Sequence, residues 1–173
     1  LINTELVPGV APLIYPCHFG EGFVMWPKAG IRKPNYILDD GRSESLLVHS
    51  GVYVLVKRFS AKEERRRITA CLYDPRRVRA GRVGFENHLN YFHAKGESIP
   101  RSLAKGLVAF LNSQLVDNYF RQFNGHTQVN ASDLRKLRYP SREALVALGR
   151  RINGSLADEK RLNELVEELV FHE

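Results

Sequence analysis

Long apolar runs are missing from this chain. Uninterrupted stretches such as Val52–Val56 span only five residues, against the roughly 20 that a membrane-spanning helix requires. No basic, apolar leader opens the sequence either, so a soluble, cytoplasmic protein is expected. Cysteine is scarce. The two present, Cys17 and Cys71, have no CxxC spacing and no histidine cluster nearby; this gives neither a zinc motif nor a disulfide framework, and both are expected in the core. Methionine occurs once, at Met25, and the chain opens on Leu1, so a portion of a longer polypeptide is expected. Repeats and low-complexity tracts are also lacking. With 173 residues, 43% hydrophobic and 26% charged, the chain is long enough to bury one real core.

Charge is present and unevenly placed. The segment Val56–Arg82 carries ten basic residues against three acidic ones, an excess equal to the net charge of +7 for the whole chain. Ala157–Glu173 is the reverse, with six acids against two bases. A concentrated arginine-rich face is the footprint of polyanion binding, because each neutralised phosphate releases condensed counterions. Composition alone leaves a solvated charged face equally open.

The hydrophobic pattern predicts an α+β fold: a small mixed or antiparallel sheet region followed by a helical C-terminal half. Prolines and glycines between residues 7 and 36 divide short extended pieces such as "PLIYP" and "GFVMWP". "GVYVLVKRFS" alternates Val52, Val54 and Val56 with Tyr53, Leu55 and Lys57, which predicts a central or half-buried strand. "RRRITACLYDP" is its expected partner across the charged turn "SAKEE", giving a basic hairpin. "GFENHLNYFHA" (Gly84–Ala94) reads as a third strand.

Beyond Pro100 the period lengthens. Leu103, Leu107, Phe110 and Leu111 make one helical stripe, and Leu115, Val116, Tyr119, Phe120 and Phe123 another, with a break and a cap at Asn112-Ser113. Gly125 is placed as a left-handed helix stop, and "DLRKLRYP" as a short strand ended by Pro140. Ser141 caps an expected helix carrying Leu145, Leu148 and Ile152 and ended by Gly154; Ser155 with Asp158 starts the last one. That last helix carries Leu162, Leu165, Val166, Leu169 and Val170 on one face, with Glu164, Glu167 and Glu168 outside.

Several chemistries fail on spacing. An enzyme that methylates an amine needs a cofactor loop and an Asp/Asn-Pro-Pro-aromatic element, and neither "GEG" at Gly20–Gly22 nor "KPNY" at Lys33–Tyr36 fits. A metal-dependent nuclease needs an acid two residues before a strand lysine; "VLVK" offers Leu55 there. In "ENHLNYFH", strand alternation puts Glu86, His88 and Asn90 on one face and His93 on the other, so no ligand set converges. Recognition chemistry fits these residues better. Asn, Gln, Arg and Lys read base edges through paired hydrogen bonds, with Ser, Thr and His assisting. "FNGHTQVNASDLRKLRYP" (Phe123–Pro140) supplies such side chains on a loop, and "ENHLN" adds Asn87, His88 and Asn90. A competing reading has the same loop side chains merely satisfying turn and cap groups.

A family resemblance weighs between the two. "ENHLNYFH", "LAKGLVAFLNSQLVDNYFRQFNGHTQVNASDLRKLRYPS" (Leu103–Ser141) and "VYVLVKRFSAKEERRRITA" (Val52–Ala70) resemble the C-terminal target-recognition region of bacterial restriction–modification N6-adenine DNA methyltransferases, TaqI-like. The run from Phe110 to Ile152 is more distantly similar to a target-recognition half of type I specificity subunits. The likeness covers most of the chain from about residue 50 onward, and residues 1–50 match loosely.

The resemblance implies a DNA target-recognition domain over residues 1–140, β-rich to about residue 98, then helical with a recognition loop at 124–133. Residues 141–173 would form a C-terminal helical segment packing on it or on a neighbouring domain. Implied partners are double-stranded DNA and a catalytic methyltransferase domain of the same polypeptide, which would bind S-adenosylmethionine. This chain lacks the family's cofactor loop and amine-binding motif, so it is expected to be inactive alone, with no catalytic, cofactor-binding or metal-ligating residue. Lys57, Arg58, Arg65, Arg66 and Arg67 are assigned to phosphates. Asn87, His88, Asn90, His126, Thr127, Gln128 and Asn130 are assigned to base edges or to shaping the reading loop, with Gly125 supplying its turn. Two other functions stay open: an endonuclease fragment of a restriction system, or a protein-interaction module docking through the C-terminal helix.

Overall fold

A computed structural model describes residues 8–123, 125–153, 156 and 158–171. Proline and glycine divide the first fifty residues into β1 (Val10–Ile14), β2 (Phe19–Gly20), β3 (Phe23–Val24), β4 (Tyr36–Leu38) and β5 (Leu47–His49). Longer pairing begins with β6 (Tyr53–Lys57) and β7 (Ala70–Tyr73), followed by β8 (Arg82–Phe85) and β9 (Leu89–Phe92). Five helices complete the α+β fold: α1 (Arg101–Leu111), α2 (Gln114–Phe123), α3 (Ala131–Lys136), α4 (Arg142–Arg151) and α5 (Glu159–Phe171).

The strands form two mixed sheets, in the orders β4-β1-β8-β5 and β2-β3-β7-β6-β9. β6 is an internal strand of the larger one, antiparallel to β7 with Tyr53 opposite Tyr73, and antiparallel to β9 with Lys57 opposite Leu89. Its alternation sorts two cores. Val54 and Val56, with Ala70 and Leu72 of β7, join the helices in one cluster. Tyr53 and Leu55, with Cys71 and Tyr73, join Ile14, Val83 and Leu89 in the other. A strand buried on both faces reads as a continuous apolar run, which is why "VYVLV" carries no polar residue. Tyr53 packs edge-on against Phe85 and Tyr91 at ring separations of 5.5 and 5.9 Å, a preferred aromatic arrangement.

Four expectations change. Gly84–Ala94 is not one strand: β8 belongs to one sheet and β9 to the other, with a turn between them whose Leu89 N–H donates to Glu86 O at 2.9 Å. Arg65, Arg66 and Arg67 precede β7 instead of lying in it. "DLRKLRYP" is not a strand: its first four residues close helix α3, because the Asp133 carboxylate accepts the Asn130 N–H at 2.9 Å and starts a turn, and the chain leaves the helix at Leu137. Cys17 is exposed, whereas Cys71 is buried as expected. Among the caps, Ser113 Oγ accepts from Val116 N–H and Ser141 Oγ from Ala144 N–H. Asp158 itself caps α5 by accepting from Arg161 N–H at 3.0 Å; the expected roles of Gly154 and Ser155 lie outside the described residues.

Two contacts seat the helical layer. At the α1–α4 crossing, a Cβ on Gly106 would lie 2.0 Å from Leu145 O, and one on Gly149 1.8 Å from Ser102 O. The helices therefore meet backbone to backbone. Buried Asn112 then joins the layer to the sheet, accepting from Ala70 N–H at 2.8 Å and donating to Ala70 O at 2.9 Å. The side-chain amide takes the place of a neighbouring strand and satisfies both main-chain groups of buried Ala70. Residues of α4 and α5, including Leu148, Leu162 and Leu165, belong to the same core as β6 and α1.

His18 does the equivalent for the N-terminal loops. Fully buried, it accepts the Tyr15 N–H at Nδ1 and faces Asn35 Oδ1 through Nε2, each at 2.9 Å. This fixes the neutral tautomer with the proton on Nε2. Burial, the largest influence, pulls its pKa below the ordinary value.

Gly149→Ala should destabilise the chain by about 3 kcal/mol, the upper part of the usual overpacking range, in urea unfolding. Gly81→Ala, where a Cβ has open space, should change stability by no more than about 0.5 kcal/mol. His18 predicts a pH dependence of defined sign. Its folded pKa is lowered, so the unfolded chain takes the proton first, and stability present above about pH 6.5 falls as the pH drops below it. Thermal unfolding should show Tm declining between about pH 7 and pH 5, with that slope reduced in His18→Gln.

Candidate nucleic-acid interface

The extended chain continues past β6 and gathers the candidate residues. Arg58 N–H donates to His88 O at 2.8 Å, and Arg58 O accepts from Val129 N–H at 2.7 Å. Ser60 N–H donates to Thr127 O at 2.9 Å, with Phe59 opposite Gln128 in an antiparallel bridge. Arg58–Ser60 is thus flanked by the turn between β8 and β9 and by the segment after α2. Asn90 ties these together by donating from Nδ2 to Val129 O at 2.8 Å. Residues more than sixty positions apart in sequence come to one end of the larger sheet.

The candidate residues divide by role. Exposed on this end are Asn87, His88, Gly125, His126, Thr127 and Gln128, while Lys57 and Arg58 are half-buried. Arg58 Nη1 donates to Asn87 O at 3.1 Å, which holds the turn. His88 is oriented by Glu86, whose carboxylate bonds both its Nδ1 and its backbone N–H, and its ring lies 5.2 Å from that of Phe59. Glu86 and His88 therefore meet through a turn, not through strand alternation, and His93 lies past the opposite end of β9 with Nδ1 accepting from Gly96 N–H. Asn130 starts α3. A Cβ at Gly125 would have open space, so close packing does not require glycine there.

Three of the arginines assigned to phosphates have partners within the protein. Arg67, assigned to phosphate, is 2% exposed. Its guanidinium donates to Ser60 Oγ at 3.1 Å and to His126 O, and its backbone N–H donates to Asp117 Oδ1 at 2.7 Å. It is a strut beneath the loop, because a buried guanidinium must spend its donors on internal acceptors. Arg65 and Arg66 both pair with Glu159 at the start of α5. Arg121, which the sequence reading did not single out, locks the connection from the other side: it pairs with Asp117 at 2.7 Å and donates to the carbonyls of Lys62, Glu64 and Arg65.

The basic segment is not a single face. β6 and β7 run antiparallel, so Lys57–Arg67 lies at one end of the sheet and Arg76, Arg77 and Arg79 at the other. At that far end Arg101 makes a bidentate pair with Asp74 at 2.7 and 2.8 Å, and the Arg77 guanidinium lies 3.9 Å from the Phe23 ring centroid. Arg82 pairs with Asp39. One further cation supplements the candidate end instead. Lys33 Nζ lies 4.6 Å from the Tyr15 ring centroid, and Tyr15, Lys33, Lys57, Phe59 and His88 line one open groove. Phe59 could have been found from its parity with Tyr53, Leu55 and Lys57. Lys33, in a proline-rich loop, left no periodic signal. Leu55, where a nuclease would carry its acid, is fully buried.

No helix among the described residues is long and apolar enough to cross a membrane. No family model matches the chain, and no solved structure does so. Two curated proteins do. The type II methyltransferase M.PstI of Providencia stuartii is 44% identical over 165 residues, which is 95% of this chain and 32% of that protein. The type II methyltransferase M.BsuBI of Bacillus subtilis is 44% identical over 99% of this chain, corresponding to 35% of its own length. The chain spans about a third of the length of these relatives, and along nearly all of that span it is a homologue of type II methyltransferases.

Proposed function

We propose that this chain is the target-recognition part of an adenine-specific restriction–modification DNA methyltransferase, and that it binds duplex DNA through the end of the larger sheet. One observation carries the reading: Lys57, Arg58, His88 and the Gly125–Gln128 segment, remote in sequence, are held together by main-chain hydrogen bonds on one exposed edge. Cations there supply sequence-independent attraction to phosphates, and the neighbouring amide, imidazole and hydroxyl groups can pair with base edges. Lys57 and Arg58 take the phosphate role. Asn87, His88, His126, Thr127 and Gln128 take the reading role, while Arg67, Asn90 and Asn130 hold the readers in place. S-adenosylmethionine binding and methyl transfer belong to the remaining two thirds of such an enzyme. That division has a physical rationale, since extruding a base costs a few kcal/mol that contacts elsewhere on the duplex must offset.

Incubating the chain with a randomised duplex pool at low and physiological salt, then sequencing what is retained, should yield an enriched short motif. Retention without a motif would remove the base-reading assignment, and no retention would remove the DNA-binding one. On the enriched site, Gln128→Ala should cost about 1–3 kcal/mol and have little effect on random duplex. Lys57→Ala should weaken all duplexes alike and reduce the slope of log affinity against log salt by about one unit.

A further inference from the structure

Phe59 is the exposed aromatic of the candidate edge. It is 41% exposed, and the groove it lines combines aromatic and aliphatic surface with two lysines. Lys33 and Lys57 line the groove beside it together with Tyr15 and His88, and Gln128 stands opposite it. Leu115, Tyr119 and Val170, also exposed, line instead a groove between α2 and α5 whose lining includes one cation, Arg138. Leaving an aromatic ring in water forgoes much of the gain from burying it. Hydrogen bonds from both neighbours also fix its backbone, through Arg58 to His88 and Val129 and through Ser60 to Thr127. The ring rests on His88, itself oriented by Glu86. It is therefore a presented surface, held in position before any ligand arrives.

Resting on the DNA-binding reading above, we infer that Phe59 is a stacking wedge that occupies the gap opened in a duplex when a base leaves the helix. An intact stack offers no base face to a side chain; a face becomes available only where a step is unstacked. Apolar wedges inserted at such steps are a recurrent way of stabilising distorted duplexes. Aromatic stacking on a single base strengthens binding by on the order of tenfold to a hundredfold, comparable with the cost of unstacking a step. Lys57 and Lys33 flank the ring where the phosphates of an opened step would lie, so aromatic and cationic contacts act on the same nucleotide. Phe59 is thereby a positioning residue: it holds the opened duplex and touches no methyl donor.

The test measures binding of the chain to a short duplex with one central abasic nucleotide and to the intact duplex of the same sequence, by fluorescence anisotropy at low salt. The wild-type chain should prefer the abasic duplex by on the order of tenfold, within the range that stacking on one base provides. Phe59→Ala and Phe59→Leu should bind both duplexes within about twofold of each other, and Phe59→Trp should keep the preference, because the π-face is what stacks. The leucine variant preserves an apolar side chain and so separates loss of stacking from loss of folding. Equal affinity of the wild type for the two duplexes, or a preference surviving in both Phe59→Ala and Phe59→Leu, would overturn the wedge and leave the DNA-binding reading standing. Failure of the wild-type chain to bind either duplex would overturn both.

Discussion

The buried guanidinium of Arg67 is the constraint on which the arrangement of this protein depends. Three segments meet at that residue: the connection leading into β7, through Ser60 Oγ; helix α2, through the Asp117 carboxylate; and the segment after α2, through His126 O. A cation excluded from water must have its donors satisfied internally, so the Ser60 and His126 segments cannot part without stranding the charge, and α2 cannot leave without stranding the buried Arg67 N–H. Arg121 closes the same junction from the helix side, bonded to Asp117 and to three carbonyls of the connection. The segment bearing Thr127 and Gln128 contributes little apolar burial of its own beyond Val129. Its order comes from what lies beneath it.

This organisation separates structural charge from presented charge. Seven arginines lie between residues 58 and 79, and the fold uses them very differently. Arg67 is internal, Arg65 and Arg66 share Glu159, and Arg77 covers Phe23. Pairing with α5 also explains why the acidic C-terminal stretch accompanies a basic middle: part of each is the other's partner. The electrostatic field at the candidate edge is thus smaller than the sequence total implies, and it is supplemented by Lys33 from a loop that the basic segment does not include.

Much of the framework was legible from residue patterns. The alternation from Val52 to Lys57 points to a central or half-buried strand with an antiparallel partner, and the stripes beyond Pro100 to helices, their break at Asn112-Ser113 and the Ser141 cap. What escaped was tertiary. Nothing local in "GFENHLNYFHA" signals that its two halves belong to different sheets, because both halves are equally extended. In "DLRKLRYP" a two-residue apolar spacing competes with a capping contact between Asn130 and Asp133, and the cap prevails as far as Lys136. Arginines in a run look alike in one dimension; which is internal depends on where α2 places Asp117. The grouping of Asn87, His88 and the Gly125–Gln128 segment was anticipated as chemistry, but Phe59 as its centre was not, since an aromatic at the end of a strand reads first as core.

The meeting of α1 and α4 at Gly106 and Gly149 sets a one-sided rule for how this chain can vary. Where side chains separate two helices, losses and gains of volume can compensate, and the spacing can drift in either direction over many substitutions. Here no side chain intervenes, and the carbonyls of Leu145 and Ser102 already occupy the space any added atom would need. The distance between the helices is at its floor: substitution at either glycine can only widen it. A layer spacing that can change in just one direction works as a ruler, holding Asn112 at the height where its amide meets Ala70.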